Sequence, residues 1–312
     1  MKNKSLFVAV AILAVAAPAY AKDPTKKAEA QNLHASVGQE RAEIAKLEAA
    51  EKHKASAKVS DVQSPARPFD LDIVSPVQVA ASDKASEIFQ KQALPDYIKI
   101  SETRLNEAEA AKSLDAIRVD PNKLTLAEDT SVRVYFVGEG AGYHNTLGFY
   151  TTGKGGDQTD SALIFPDASS NLGLDGTGKA LRDKKNPLLP GDFVDLGNFK
   201  AGTKLDFFLI ADGANSWKTV FSTVDSLNPD GIFHAVSLAP EGSPYLLLSF
   251  EDLFGGGDAD YNDVVFAVEI GKGNVKHLAE HSRLTAPEPT MALGGLLSCG
   301  VLLMNRRRRT MR

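Results

Sequence analysis

The pattern of apolar and polar positions changes character near residue 122. Residues 24–58 are rich in Ala, Lys and Glu, with almost no turn residue besides Gly38. Leu33, Val37, Ile44 and Leu47 recur at helical spacing, which predicts a polar helix. Glu40 and Glu51 interrupt that seam, and two heptads are too few for a coiled coil, so the helix reads as a solvated spacer over 22–58. Pro65, Pro68 and Pro76 mark residues 59–80 as a linker, followed by two short helices over 81–93 and 101–114. From Asn122 the chain turns to short β-branched and aromatic runs punctuated by Gly, Asp and Pro. Strands are expected at 131–137, 146–151, 162–166, 193–196, 204–211, 231–238, 245–250 and 263–270. This spacing predicts an all-β domain over 122–271, an antiparallel β-sandwich or jelly roll, preceded by an α-helical N-terminal extension. Residues 272–286 read as a second linker.

The two ends carry a different kind of pattern. Lys2 and Lys4, the apolar run 6–17 and the Ala19-Tyr20-Ala21 site form a secretory signal over 1–21, with a retained N-terminal anchor as the alternative. Export brings oxidising conditions, yet the sole cysteine is Cys299, near the C-terminus. No internal disulfide can form, so the exported body depends on its core and, we expect, on a metal. The far end runs Pro287-Glu288-Pro289, then an apolar segment from Met291 to Met304, then Arg306 to Arg309. Fourteen apolar residues are short for a permanent span, and the arginines would stay cytoplasmic.

Net charge sharpens this division. The chain carries 35 Lys and Arg against 40 Asp and Glu, a formal charge of −5, but seven of the basic residues lie in the two terminal segments. Residues 22–286 hold 28 basic and 39 acidic residues, a net of −11. Such a body argues against nucleic acid as a partner, because affinity for phosphates needs clustered Lys and Arg. It suits cations or basic surfaces instead.

The charge is most concentrated in residues 251–263. Glu251, Asp252, Asp258, Asp260 and Asp263 place five carboxylates within 13 residues, together with Asn262, around the glycines 255–257 and without one Lys or Arg. Crowded carboxylates raise one another's pKa and strain a fold unless a cation screens them. A glycine loop lets backbone carbonyls join side-chain oxygens, and a donor set of oxygens alone suits calcium, whereas zinc would want His or Cys. The six residues are therefore candidate calcium ligands. The alternative is a β-turn whose Asp and Asn side chains cap local backbone groups. An EF-hand does not fit, since its sixth position would be Asp263 instead of Gly, and a calcium-binding β-helix would need repeated copies.

Two resemblances follow from these residues. The order of Pro-Glu-Pro, short apolar segment and Arg cluster resembles the PEP-CTERM sorting signal of Gram-negative bacteria. It implies transient inner-membrane retention, processing by an exosortase-type protease, and delivery to the cell surface, outer membrane or an exopolysaccharide matrix. An ordinary C-terminal anchor is the alternative. Residues 124–270 resemble a bacterial domain family of unknown function found in exported and cell-surface proteins. Its signature is Phe-Glu-Asp, a glycine loop, then Asp-x-Asp-Tyr-Asn-Asp and an apolar strand, here residues 250–266, with weaker matches at 142–148 and 207–213. The resemblance implies a β-sandwich with a calcium site and no established activity.

Other motifs carry less. His277, Glu280 and His281 fit the His-x-x-Glu-His pattern of inverted zinc peptidases, but their place between the last strand and the tail makes chance the simpler reading. Glu139 and His144 flank a glycine-rich turn that lacks the phosphate-loop spacing; contact with a ligand is one reading of them, although a lone His near a turn is more often structural. Trp217, the only tryptophan, would suit sugar stacking if exposed; packing beneath its loop is the simpler expectation. The chain thus reads as a non-enzymatic surface or matrix protein with a structural or adhesive role. A carbohydrate-binding module or a glycan-active enzyme using the same acidic loop is the second reading, with extracellular polysaccharide as the partner.

Overall fold

The computed structural model describes residues 57–105, 117–159, 161–172 and 180–284. The expected secretory signal, nearly all of the spacer helix, most of the second short helix and the sorting tail with Cys299 lie outside the described residues. Within them, ten strands form two antiparallel sheets. The six-stranded sheet has the order β1 (Arg118–Val119), β8 (Ala235–Leu238), β9 (Tyr245–Phe250), β10 (Val264–Glu269), β2 (Thr130–Gly138), β5 (Phe193–Phe199). The four-stranded sheet has the order β4 (Ala162–Phe165), β3 (Thr146–Thr152), β6 (Lys204–Ala211), β7 (Thr219–Ser222). The expected all-β sandwich is what the chain forms.

The sheets share one core because alternate side chains of each strand point inward. Leu205, Phe207, Leu209 and Ala211 of β6 meet Val134 and Phe136 of β2 and Val264, Phe266 and Val268 of β10. The Phe207 and Phe266 rings lie 5.3 Å apart between centroids. Antiparallel sheets often leave one face wet, and their strands then alternate apolar and polar. Here β9 and most of β10 are buried on both faces, so they read as continuous apolar runs.

What covers the outer faces is the part that looked like linker and extension. Four helices are described: α1 (Val59–Val62), α2 (Lys84–Gln92), α3 (Leu94–Ile100) and α4 (Gly271–His281). Phe89, Leu94 and Tyr97 of α2 and α3 pack on Tyr135, Val137, Phe193, Tyr245 and Leu247, the outer face of the larger sheet. Phe89 stacks on Tyr135 at 3.9 Å, and such a pair adds about 1 kcal/mol beyond its buried area. Asp83 caps α2 through a reciprocal bond with Ser86 and is held at about 2 by the Arg133 guanidinium, which pins the helix to the sheet. The Pro-rich segment is no free linker. Ile73 and Gln78 form isolated bridges to Leu163 and Phe193, one on each sheet, while Leu71 covers Tyr150, Leu163, Phe208 and Ile210.

Four further differences from the expected elements have local causes. Residues 272–281, read as linker, belong to α4, which buries Val275 and Leu278 and is locked by Asn274, whose Oδ1 accepts from the Ala127 and Glu128 amides. The strand expected at 231–238 begins only at Ala235, because residues 228–234 serve the loop described below. The two-residue β1 and the short β7 carry too little pattern to read from sequence. Among the described residues, no helix is long and apolar enough to cross a membrane.

Candidate metal centre

The acidic segment is the connection between β9 and β10, two inner strands of the larger sheet. Phe250 pairs with Val264, so Glu251 and Asp263 leave the ladder side by side. The Asp263 amide donates to the Phe250 carbonyl at 3.1 Å, and the Asp252 amide donates to Asp263 Oδ2 at 2.7 Å. Between them the backbone turns through positive φ at Gly255, Gly256, Gly257, Ala259 and Tyr261. Gly257 is required twice over: its φ is +47°, and a Cβ there would lie 2.0 Å from Glu251 Oε1. Tyr261 is held in its left-handed conformation by burial and by a parallel stack on Phe233 at 5.4 Å.

The folded loop brings its carboxylates into two groups. Glu251, Asp258 and Asp260 each offer an oxygen within 4.8 Å of the others, and Glu251, Asp252 and Asp263 do the same. Glu251 belongs to both and is only 1% exposed, with its Oε2 buried and without a hydrogen-bond partner. Asn262, the sixth candidate ligand, lies against Asp260. Its side chain donates to Asp260 Oδ2 at 2.5 Å, its amide faces Asp260 Oδ1, and its carbonyl accepts from the Gly140 amide. It therefore orients Asp260 and ties the loop to the end of β2, where a Cβ on Gly140 would collide with Asn262 Oδ1.

Electrostatics follow from this burial. Desolvation, then the charge of Asp258, pushes Glu251 up to about 7. Desolvation, then the charges of Asp252 and Glu251, pushes Asp263 up to about 9. Asp252 and Asp260 are raised as well, burial first. Each shift states that the protein alone solvates these charges poorly. A cation bound among them would reverse that penalty.

A further ring of polar side chains positions the loop. Asn145 donates to Asp252 Oδ2 at 2.7 Å, and its Oδ1 accepts from the Asp212 amide at 3.0 Å, joining the 212–217 loop to the acidic one. Glu139 is buried at the end of β2 and raised to about 8, by desolvation and then by the charges of Asp167 and Asp252 against the Ser170 amide it accepts from. His144 lies 2.9 Å from Asp167 Oδ2. On the other side, fully buried His234 faces two acceptors, the Glu251 carbonyl at 3.0 Å and Asp230 Oδ2 at 2.9 Å. Burial pulls Asp230 up, but the Gly255 amide and the His234 ring outweigh it and hold the carboxyl at about 2.

Sequence reasoning named Glu139 and His144 but missed Asp167, Asp212, Asp230 and His234. They come from three separate loops, at 167, 212 and 230–234, and apart from Asp212, which lies in the weakly matching segment 207–213, nothing in their local pattern distinguishes them. Trp217 corrects the expectation of packing beneath its loop: it is 55% exposed, with Tyr143 tilted beside it at 6.1 Å. The His277-to-His281 pentad does lie on a helix, with the two rings stacked at 4.2 Å, but neither carboxylate group includes it.

Residues 199–271 match a family described as a domain of unknown function (DUF4114). The match contains β6, the 212–217 loop, β9, the acidic loop and β10; the segment 142–148 that supplies Asn145 lies before it. No curated protein and no solved structure shows a significant match to the chain.

Proposed function

We propose that this is an exported cell-surface or matrix protein whose sandwich is stabilised by calcium in the β9–β10 loop, with a structural or adhesive and non-enzymatic role. The observation that carries it is the buried, unpartnered Glu251 Oε2 amid carboxylates with no Lys or Arg in residues 251–263. A donor set of hard oxygens without His or Cys selects calcium over zinc. The ion would neutralise the loop and stiffen its neighbours through Asn145 and Asp230. Export, processing by an exosortase-type protease and delivery to the surface rest on the terminal signals read in the sequence.

Chelation tests the metal directly. Calcium at about a hundredfold its dissociation constant adds about 2.7 kcal/mol, a rise of about 5–10 °C in melting temperature for a domain of this size. Scanning calorimetry in EDTA and then in calcium should show that rise, and identical curves would sink the reading. A glycan ligand is the second reading, favoured by the exposed Trp217 and its neighbour Tyr143, a surface on which a sugar ring can stack. In that case Trp217→Ala should abolish binding on a glycan array while leaving the melting temperature within about 1 °C, since exposed substitutions cost little.

A further inference from the structure

We propose that the β9–β10 loop holds two divalent cations, an inner one on Asp252 and Asp263 and an outer one on Asp258 and Asp260, with Glu251 bridging them. This rests on the cation reading above and adds its stoichiometry and architecture.

Calcium–oxygen bonds run about 2.3–2.6 Å, so two oxygens on one ion lie no more than about 5 Å apart. The five carboxylates divide into two groups that satisfy this limit and share only Glu251. One ion at the centre of either group leaves the other two aspartates unserved. A carboxylate with two oxygens can bridge, and Glu251 is placed to do so. Gly257 makes room for Oε1, while Oε2 is buried with no donor from the protein. That orphaned oxygen points to a ligand independently of the acidic character of the loop, because a buried acceptor left without a partner keeps its full desolvation penalty.

Charge agrees with the count. Five carboxylates carry −5 when ionised; one dication leaves −3 and two leave −1, and residues 251–263 contribute no basic side chain. The two positions also differ in their surroundings. The inner group has Asp252 buried and held by Asn145, whereas the outer group includes exposed Asp258. The inner ion should exchange slowly and the outer one quickly.

Equilibrium dialysis of the full chain against calcium alone, with bound metal counted by atomic emission, tests this. Two ions per chain are expected. The double variant Asp258→Asn/Asp260→Asn should keep one, Asp252→Asn/Asp263→Asn should keep one, and Glu251→Gln should lower affinity at both. Circular dichroism identifies any variant that does not fold, and the wild-type count stands without the variants. One ion per chain overturns the two-ion inference and leaves the calcium reading intact. Two ions that both persist in the Asp258→Asn/Asp260→Asn variant would place the second elsewhere and overturn it too. No bound calcium overturns both.

Discussion

Asp192 and the acidic loop both bury carboxylates, and they treat them differently. Asp192, fully buried at the start of β5, accepts from Arg182 Nη2 at both oxygens, from the Ala80 amide at 3.0 Å and from the Leu189 amide at 2.9 Å. Burial still pushes its carboxyl up, but the chain itself supplies the opposing cation and donors. Glu251, Asp252 and Asp263 are desolvated in the same way, and the donors within reach are amides and Asn145, none of them charged. Desolvation alone therefore does not mark a functional site. What separates the two is whether the chain itself supplies the opposing charge.

The comparison can be broken in three ways. The largest effect is expected at Asp192. Arg182→Met should cost about 3–5 kcal/mol, because removing one partner strands a buried charge, and the cost should be equal in EDTA and in calcium. Urea denaturation under both conditions measures it, and a loss seen only with calcium would show the two regions to be coupled. A smaller effect, about 1–2 kcal/mol, is expected for Asp263→Asn, with opposite signs in the two conditions. Removing a carboxyl that must take up a proton to fold should raise stability in EDTA, and removing a calcium ligand should lower it in calcium. A loss in both would mean that Asp263 is a structural group like Asp192.

The smallest and broadest effect is on pH dependence. Glu139, Glu251 and Asp263 have folded-state values of about 8, 7 and 9, all above the ordinary carboxylate range. Their protonated forms are favoured in the fold, so the stability they contribute is complete near pH 4 and is lost as pH rises through 7 to 9. In chelator, the melting temperature should fall across that window. In calcium the fall should flatten, because the ion replaces the protons. A chelated protein that becomes more stable from pH 5 to 9 would contradict the burial argument.

How far these features were legible depends on the range of the interactions that make them. The runs at 245–250 and 204–211 announce buried strands because burial on both faces removes polar alternation. The acidic loop was visible as uncompensated charge packed around glycines. The covering role of residues 59–80 was not, because proline-rich extended chain looks the same in solvent as against a sheet edge. Helix α4 was hidden for a related reason: Gly271 and Gly273 weaken its helical signal, and the burial of Val275 and Leu278 supplies what propensity does not.

By itself the sequence determined the class of fold, the hairpin that carries the acidic loop and the identity of its carboxylates, since all three rest on local pattern and composition. Only the tertiary structure decided that those carboxylates divide into two groups hinged on Glu251, that Asn262 orients Asp260, and that Asn145, Asp230 and His234 frame them. The physical reason is distance along the chain. Residues 145, 212, 230 and 252 meet only because two sheets fold together, and no periodicity in a sequence records which loops share one end of a sandwich.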